Sequence, residues 1–271
     1  CFRCNFATVD DDLTVVDRRA GRISTEDASK LAKDLEKIYL HDHPEAQVTF
    51  KNTVQHRAIL RIRAPGLSMM VSDSDPHEVG KKVLKVHPLK HTPEAEKTAK
   101  IVNEVLEKFH EVLKNHPVNE ERTKKGLPPA NIILCRGAGI LPKINPFPLK
   151  FGLKAAAVAA MPLVRGVCKV AGMRILNAPG ATGGYDTDAI SKAKTALEAL
   201  KTEDFILIHV KATDLASHDA KIEKKIEMIE KVDKMVGYLI DNVNRDETYI
   251  AVTADHTTSS VLREHTGDPV P

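Results

Sequence analysis

The chain has 271 residues, 42% of them hydrophobic, which is enough to bury a sizeable core and excludes wholesale disorder. Lys and Arg number 40 against 37 Asp and Glu, a net charge of +3, and that near balance argues against a nucleic-acid binder. The longest uncharged apolar run, Ala155 to Val164, is about half of what a membrane span needs.

The opening residues show no basic region followed by an apolar stretch, so no signal peptide is read, and four cysteines make no disulfide framework. Cys1 and Cys4 form a lone CxxC with neither a second such pair nor a redox-type helix after it, and it reads as incidental. These features predict a soluble, cytoplasmic α/β protein. The chain starts without Met and stops at Asp268-Pro269-Val270-Pro271 without a terminal helix, which reads as a fragment with sequence missing on both sides.

In chain order, short strands are predicted over 12–17 and 57–63. Ser24 to Ile38 reads as a helix, capped by Ser24 or Thr25 with acids in its first turn. Thr92-Pro93 opens a second helix, with Pro at its first position. Ile101, Val105, Phe109 and Leu113 mark its buried face, and it is expected to end near His116-Pro117. The apolar run Asn131 to Cys135 reads as a strand leading into Gly137-Ala138-Gly139, and a Pro-rich stretch covers Leu141 to Leu149. Beyond it lie a short apolar run, Ala155 to Ala160, a helix from Pro162 to Gly172, a strand over Arg174 to Asn177 and a helix over Thr187 to Lys201. Asp204 to Val210 reads as a strand buried on both faces. Ile222, Ile226, Ile229, Val236 and Ile240 stripe a long amphipathic helix, and Thr248 to Thr253 reads as another buried strand. Strands alternating with helices at this spacing predict a parallel sheet, with a domain boundary near residue 147.

The chemistry concentrates where two apolar strands end. One runs into Thr213-Asp214-Leu215-Ala216-Ser217-His218-Asp219 and the other into Ala254-Asp255-His256-Thr257, with His265 soon after. In open α/β sheets, ligands bind outside the carboxyl ends of strands. Asp and neutral His are ligands of choice for Zn²⁺ and Mn²⁺. Asp214 and His218 share a face if their segment is helical. Five potential ligands between Asp214 and His265 suggest two ions, and paired metals suit phosphoryl transfer. A second constellation lies in the first half. Asp17-Arg18-Arg19-Ala20-Gly21-Arg22 sets three Arg before a helix N-terminus, Ser72-Asp73-Ser74-Asp75-Pro76-His77 is a polar turn, and Arg136 closes a strand. Taken singly, each of these reads as a solvated charge or a plain turn. Arg clusters and helix N-termini both suit phosphate or carboxylate.

The run DRRAGRIST, the segment HPVNEERTKKGLPPAN, the pair TDxxxHD and TADH, and the terminal HTGDPVP resemble the archaeal-type 2,3-bisphosphoglycerate-independent phosphoglycerate mutases of the alkaline phosphatase superfamily. The resemblance covers essentially the whole chain. It implies an alkaline-phosphatase-like parallel-sheet core, incomplete here, with an inserted α+β cap: residues 1–147 as the substrate-gripping cap and 148–271 as partial metal-binding core. It implies interconversion of 3-phosphoglycerate and 2-phosphoglycerate in glycolysis and gluconeogenesis, through a phosphoserine intermediate and without 2,3-bisphosphoglycerate. It implies two divalent ions, typically Mn²⁺, with Zn²⁺, Co²⁺ or Mg²⁺ as the other candidates. Asp214, His218 and His265 match the ligands of one ion, and Asp255 and His256 match two ligands of the other. The nucleophilic Ser and a further Asp would belong to a segment preceding Cys1. Among substrate-gripping residues, Arg136 and His77 match individually, and Arg18, Arg19 and Arg22 match as a motif. A core Lys of the family has Lys154, Arg165 and Lys211 as candidates. The alternatives are another metal-dependent phosphatase or phosphodiesterase of the superfamily, or a metal-binding fragment without turnover. A small-molecule substrate is expected, with neither nucleic acid nor membrane as partner, and the oligomeric state is left open.

Overall fold

Phe2–Val9 forms β1, which sequence patterning does not mark because nearly every one of its side chains is buried and no period-two alternation results. The computed structural model describes all 271 residues, and they divide into two units, Cys1–Ile140 and Leu141–Pro271. In the first unit β1 pairs antiparallel with β4 (Arg57–Arg63) and with β5 (Ile132–Arg136). β3 (Gln47–Asn52) extends the sheet from β4, and the short β2 (Val15–Asp17) pairs with the last residues of β1 across a register shift. β2 is thus only part of the strand expected over 12–17. In β4 Ala58, Leu60 and Ile62 face inward between exposed residues, the period of a half-buried strand.

Helix α1 (Thr25–Leu35) starts where Ser24 Oγ accepts from the Asp27 N–H. It buries Ala28, Leu31, Ala32 and Leu35. Helix α2 (Pro93–Lys114) is capped by Thr92 and buries Ile101, Val105, Phe109 and Leu113, the expected face. The His116-Pro117 stop is followed at once by α3 (Pro117–Lys124), in which Pro117 takes the first helical position and His116 Nδ1 accepts from the Val118 N–H. The centre of this unit is aromatic: the Phe50 ring meets Phe6 and Phe109 edge-on, with centroids 5.6 and 4.9 Å away.

The second unit holds a parallel sheet in the order β7 (Arg174–Leu176), β6 (Ala155–Val158), β8 (Phe205–Ile208). Helix α4 (Phe147–Phe151) precedes β6, and helices α5 (Pro162–Val170) and α6 (Ala189–Ala199) connect β6 to β7 and β7 to β8. The unit begins upstream of the expected boundary near 147, because Pro146 packs on Gly172 and the Phe147 N–H donates to Ala171 O at 2.7 Å. Gly172 has φ +83°, and a Cβ there would lie 2.7 Å from Pro146 Cβ. After β8 come α7 (Ala212–His218), α8 (Ile222–Asn242) and a hairpin of β9 (Thr257–Thr258) with β10 (His265–Thr266).

Three expectations fail here. Only β6 is fully buried, whereas β8 is half-buried because it forms an edge of the sheet. Residues 248–253 form no strand, and Tyr249 is fully exposed. In α8 the buried positions are Met228, Met235 and Leu239, while Ile222, Ile226 and Ile229 face outward. Apolar periodicity marks a face suited to burial, but what packs against that face decides whether it is buried. No helix is long and apolar enough to cross a membrane.

Candidate functional site

Helix α7 places Asp214 and His218 one turn apart, and the β9–β10 hairpin brings His265 to the same point. His218 Nε2 lies 3.2 Å from His265 Nε2, and Asp214 Oδ1 lies 3.5 and 3.4 Å from those two nitrogens. Metal–ligand bonds of about 2.0–2.1 Å in a tetrahedral site put the ligand atoms about 3.3–3.4 Å apart, so the three donors are spaced to share one ion. His218 Nδ1 lies 2.7 Å from Arg263 O and donates to it, which leaves the Nε2 lone pair facing His265. That is the outer-shell hydrogen bond by which ligating histidines are oriented. Asp214 is 14% exposed; its Oδ1 accepts from Thr258 Oγ1 at 2.6 Å, and Lys211 pairs with Oδ2. Burial opposes ionisation of Asp214, but the hydrogen bonds from Lys211 and Thr258 and the Lys211 charge outweigh it and hold the carboxyl below its usual range. One carboxylate and two imidazoles, already turned toward one point, fit a divalent transition ion.

His256 flanks this group. Its ring stacks on His265 at a centroid distance of 3.7 Å, Nδ1 is 3.2 Å from Thr258 Oγ1, and Nε2 is 4.0 Å from Asp214 Oδ1. Asp255 points outward, 79% exposed, with Oδ2 3.6 Å from His256 Nε2. So three of the five expected ligands form one cluster, the fourth touches it and the fifth stands at its rim. Sequence reading missed Thr258, which joins Asp214 to His256, and the Arg263 carbonyl. A threonine and a backbone oxygen carry no signal of their own.

In the first unit, Arg18 is committed to a partner: Nε and Nη2 donate to the two oxygens of Asp75 at 3.2 and 2.7 Å, and Asp75 is 1% exposed. Burial works against the Asp75 charge, yet Arg18 and the His77 N–H outweigh it and keep the carboxyl below its usual range. His77 Nε2 lies 3.1 Å from Asp73 Oδ2, and Asp73 Oδ1 accepts from the Gly137 N–H beside Arg136. Asp75, His77, Asp73 and the end of β5 thus form one connected group. Arg19 and Arg22 are exposed, on a turn of left-handed residues (Ala20, Gly21, Arg22) whose Arg19 and Gly21 N–H groups donate to Asp17. The guanidinium groups of Arg19, Arg22 and Arg136 form no ion pair, whereas Arg18 does. Of the three candidate core cations, Lys211 pairs with Asp214 and Arg165 donates to Ala159 O.

Two family profiles match, "2,3-bisphosphoglycerate-independent phosphoglycerate mutase" over residues 1–119 and "Metalloenzyme superfamily" over residues 69–271. Curated proteins named 2,3-bisphosphoglycerate-independent phosphoglycerate mutase are similar over the length of the chain. That of Ignicoccus hospitalis is 50% identical over 99% of this chain, and that of Methanocaldococcus jannaschii is 47% identical over all of it. The chain spans 65% of the length of each. Among solved structures, a Pyrococcus horikoshii protein is 35% identical with a TM-score of 0.80, covering 99% of this chain and 61% of that one. The cofactor-independent phosphoglycerate mutase of Thermoplasma acidophilum is 33% identical with a TM-score of 0.65, covering 88% of this chain and 59% of that one. The fold is therefore that of the alkaline-phosphatase-like metalloenzymes, whose chemistry uses divalent metal ions. The chain belongs to the metalloenzyme superfamily, and within it is similar along its length to the 2,3-bisphosphoglycerate-independent phosphoglycerate mutases.

Proposed function

We propose that the protein interconverts 3-phosphoglycerate and 2-phosphoglycerate in the cytoplasm, as a metal-dependent step of glycolysis and gluconeogenesis that needs no 2,3-bisphosphoglycerate. The observation that carries this reading is the convergence of Asp214 Oδ1, His218 Nε2 and His265 Nε2 in a chain related along its whole length to such mutases. These three residues hold one ion, Asp255 and His256 contribute to a second, and Mn²⁺ is the expected metal. A divalent ion there supplies Lewis-acid neutralisation of phosphoryl charge and lowers the pKa of a bound hydroxyl.

The residues of this chain then have distinct tasks. His218 keeps its proton on Nδ1, against Arg263 O, so that Nε2 stays a donor atom. Thr258 and Lys211 fix the Asp214 carboxylate in its ionised form. In residues 1–147, proposed as the substrate-gripping cap, Arg19, Arg22, Arg136 and His77 bind phosphate and carboxylate. Arg18, braced by Asp75, presents a fixed positive charge at the head of that group. Residues 148–271 are the proposed metal-binding part of the core.

The test is an enolase-coupled assay on the full-length gene product, with Mn²⁺ and without 2,3-bisphosphoglycerate. Formation of 2-phosphoglycerate that stops on chelation is the expected result. Release of phosphate from simple esters with no mutase activity would place the protein among the hydrolases of the superfamily, and neither activity in a folded, metal-loaded protein would refute the proposal outright.

A further inference from the structure

Cys4 and Cys135 face each other across β1 and β5. They are direct partners in the antiparallel register, neither exposes any surface, and their sulfurs lie 3.1 Å apart. Opposed residues on antiparallel strands have Cα atoms about 4.5–5.5 Å apart, inside the roughly 4.4–6.8 Å range that a disulfide spans. Cys1, only three positions from Cys4, is exposed, so the CxxC spacing is not the pairing that the fold makes. A one-residue slip in register would turn one sulfur to the other face of the sheet, so the juxtaposition is specified by the same packing that fixes the strands.

We propose that Cys4 and Cys135 are a disulfide site, closed by thiol–disulfide exchange with a low-molecular-weight disulfide. One protein thiolate attacks a sulfur of that disulfide, breaks its S–S bond and expels one small thiolate. The second protein thiolate attacks the protein sulfur of the mixed disulfide and expels the other. The protein loses two protons and two electrons, and these leave as two small thiols.

Burial pushes the Cys135 thiol well above its ordinary range, so exchange is slow in the closed sheet and runs when β1 and β5 assemble or part. The bond would join residues 131 positions apart in sequence. It would also pin the strand end that holds the Arg18–Asp75 group. Cys135 N–H donates to Ser74 Oγ at 2.8 Å, and Cys135 O accepts from the Ser74 and Asp75 N–H groups.

The experiment uses the whole chain, unfolded and refolded either in dithiothreitol or in a mixture of reduced and oxidised glutathione. Remaining thiols are then alkylated and the peptides mapped without reduction. The oxidised sample should contain one internal cross-link, Cys4 to Cys135, with Cys1 and Cys168 alkylated. Its melting temperature should exceed that of the reduced sample by on the order of 10 °C. Cys4→Ala and Cys135→Ala should each remove that difference between the two buffers. A Cys1–Cys4 cross-link, alkylation of all four thiols after oxidative refolding, or equal melting of cross-linked and reduced chains would each overturn the proposal. The peptide map reads the wild-type chain, so the outcome stands even if an alanine variant fails to fold.

Discussion

His56 should make the first unit acid-sensitive well above the carboxylate range. It is 8% exposed, and its Nδ1 has no hydrogen-bond partner. Burial, and then the charges of Arg57, Arg19 and Arg22 outweighing Asp17, push its pKa from the ordinary 6.5 to about 4. Above pH 6.5 both folded and unfolded chains carry a neutral His56, and the residue contributes no pH dependence. Between 6.5 and 4 the unfolded chain binds a proton that the folded chain refuses, so stability falls by about 1.4 kcal/mol per pH unit as the medium is acidified. Below about 4 both states are protonated and the loss levels off near about 3 kcal/mol. Urea unfolding of the wild type and of His56→Gln, followed from pH 7.5 down to pH 5, isolates this contribution, since every other titrating group is common to both chains. The wild type should lose about 2 kcal/mol more than the variant over that range. Parallel curves for the two chains would refute the reasoning, because they would mean that His56 titrates alike in both states.

Two further substitutions probe the packing around the same unit. Asp75→Ala leaves the Arg18 guanidinium without its bidentate partner and should cost about 3 kcal/mol in urea unfolding at pH 7. The Asp75 carboxyl lies below its ordinary value, so its contribution is present above that value and is lost as pH falls through the depressed one; the variant should be less sensitive to strong acid than the wild type. Phe50→Ala removes a fully buried ring seated between Phe6 and Phe109 and should cost about 3–5 kcal/mol. A loss below about 1 kcal/mol in thermal or urea unfolding would show that the site collapses around the gap.

Local signals were the legible ones. Ser24, one of the two expected candidates, caps α1, Thr92 caps α2, and the stripe from Ile101 to Leu113 is buried as its spacing requires, because a cap or a helix face is decided within a few residues. The expected end of α2 near His116-Pro117 holds, but Pro117 also starts α3, which the reading did not include, since the same fixed φ serves both sides of a break between helices. β1 hid itself by being buried on both faces, and 248–253 misled because β-branched residues form a strand only where a partner strand pairs with them. The site shows the same division. Asp214 and His218 were read together from their spacing, but the approach of His265 depends on a hairpin, and the approach of Asp75 to Arg18 spans 57 positions of chain. Neither is written in any window of sequence. Asp255, identical in type to Asp214 and placed beside a histidine, stands 79% exposed, so residue type alone does not bring a ligand into the cluster.

The most direct test of the account is calorimetric titration of the chain, stripped with chelator, with Mn²⁺ and Zn²⁺, repeated on Asp214→Ala and His265→Ala. The His265 side chain is half exposed, so its removal leaves the fold intact, and circular dichroism verifies this. The wild type should bind an ion tightly, and each variant should lose about 10-fold or more in affinity. Wild-type affinity retained in both variants would contradict the assignment of Asp214, His218 and His265 as the metal-binding group.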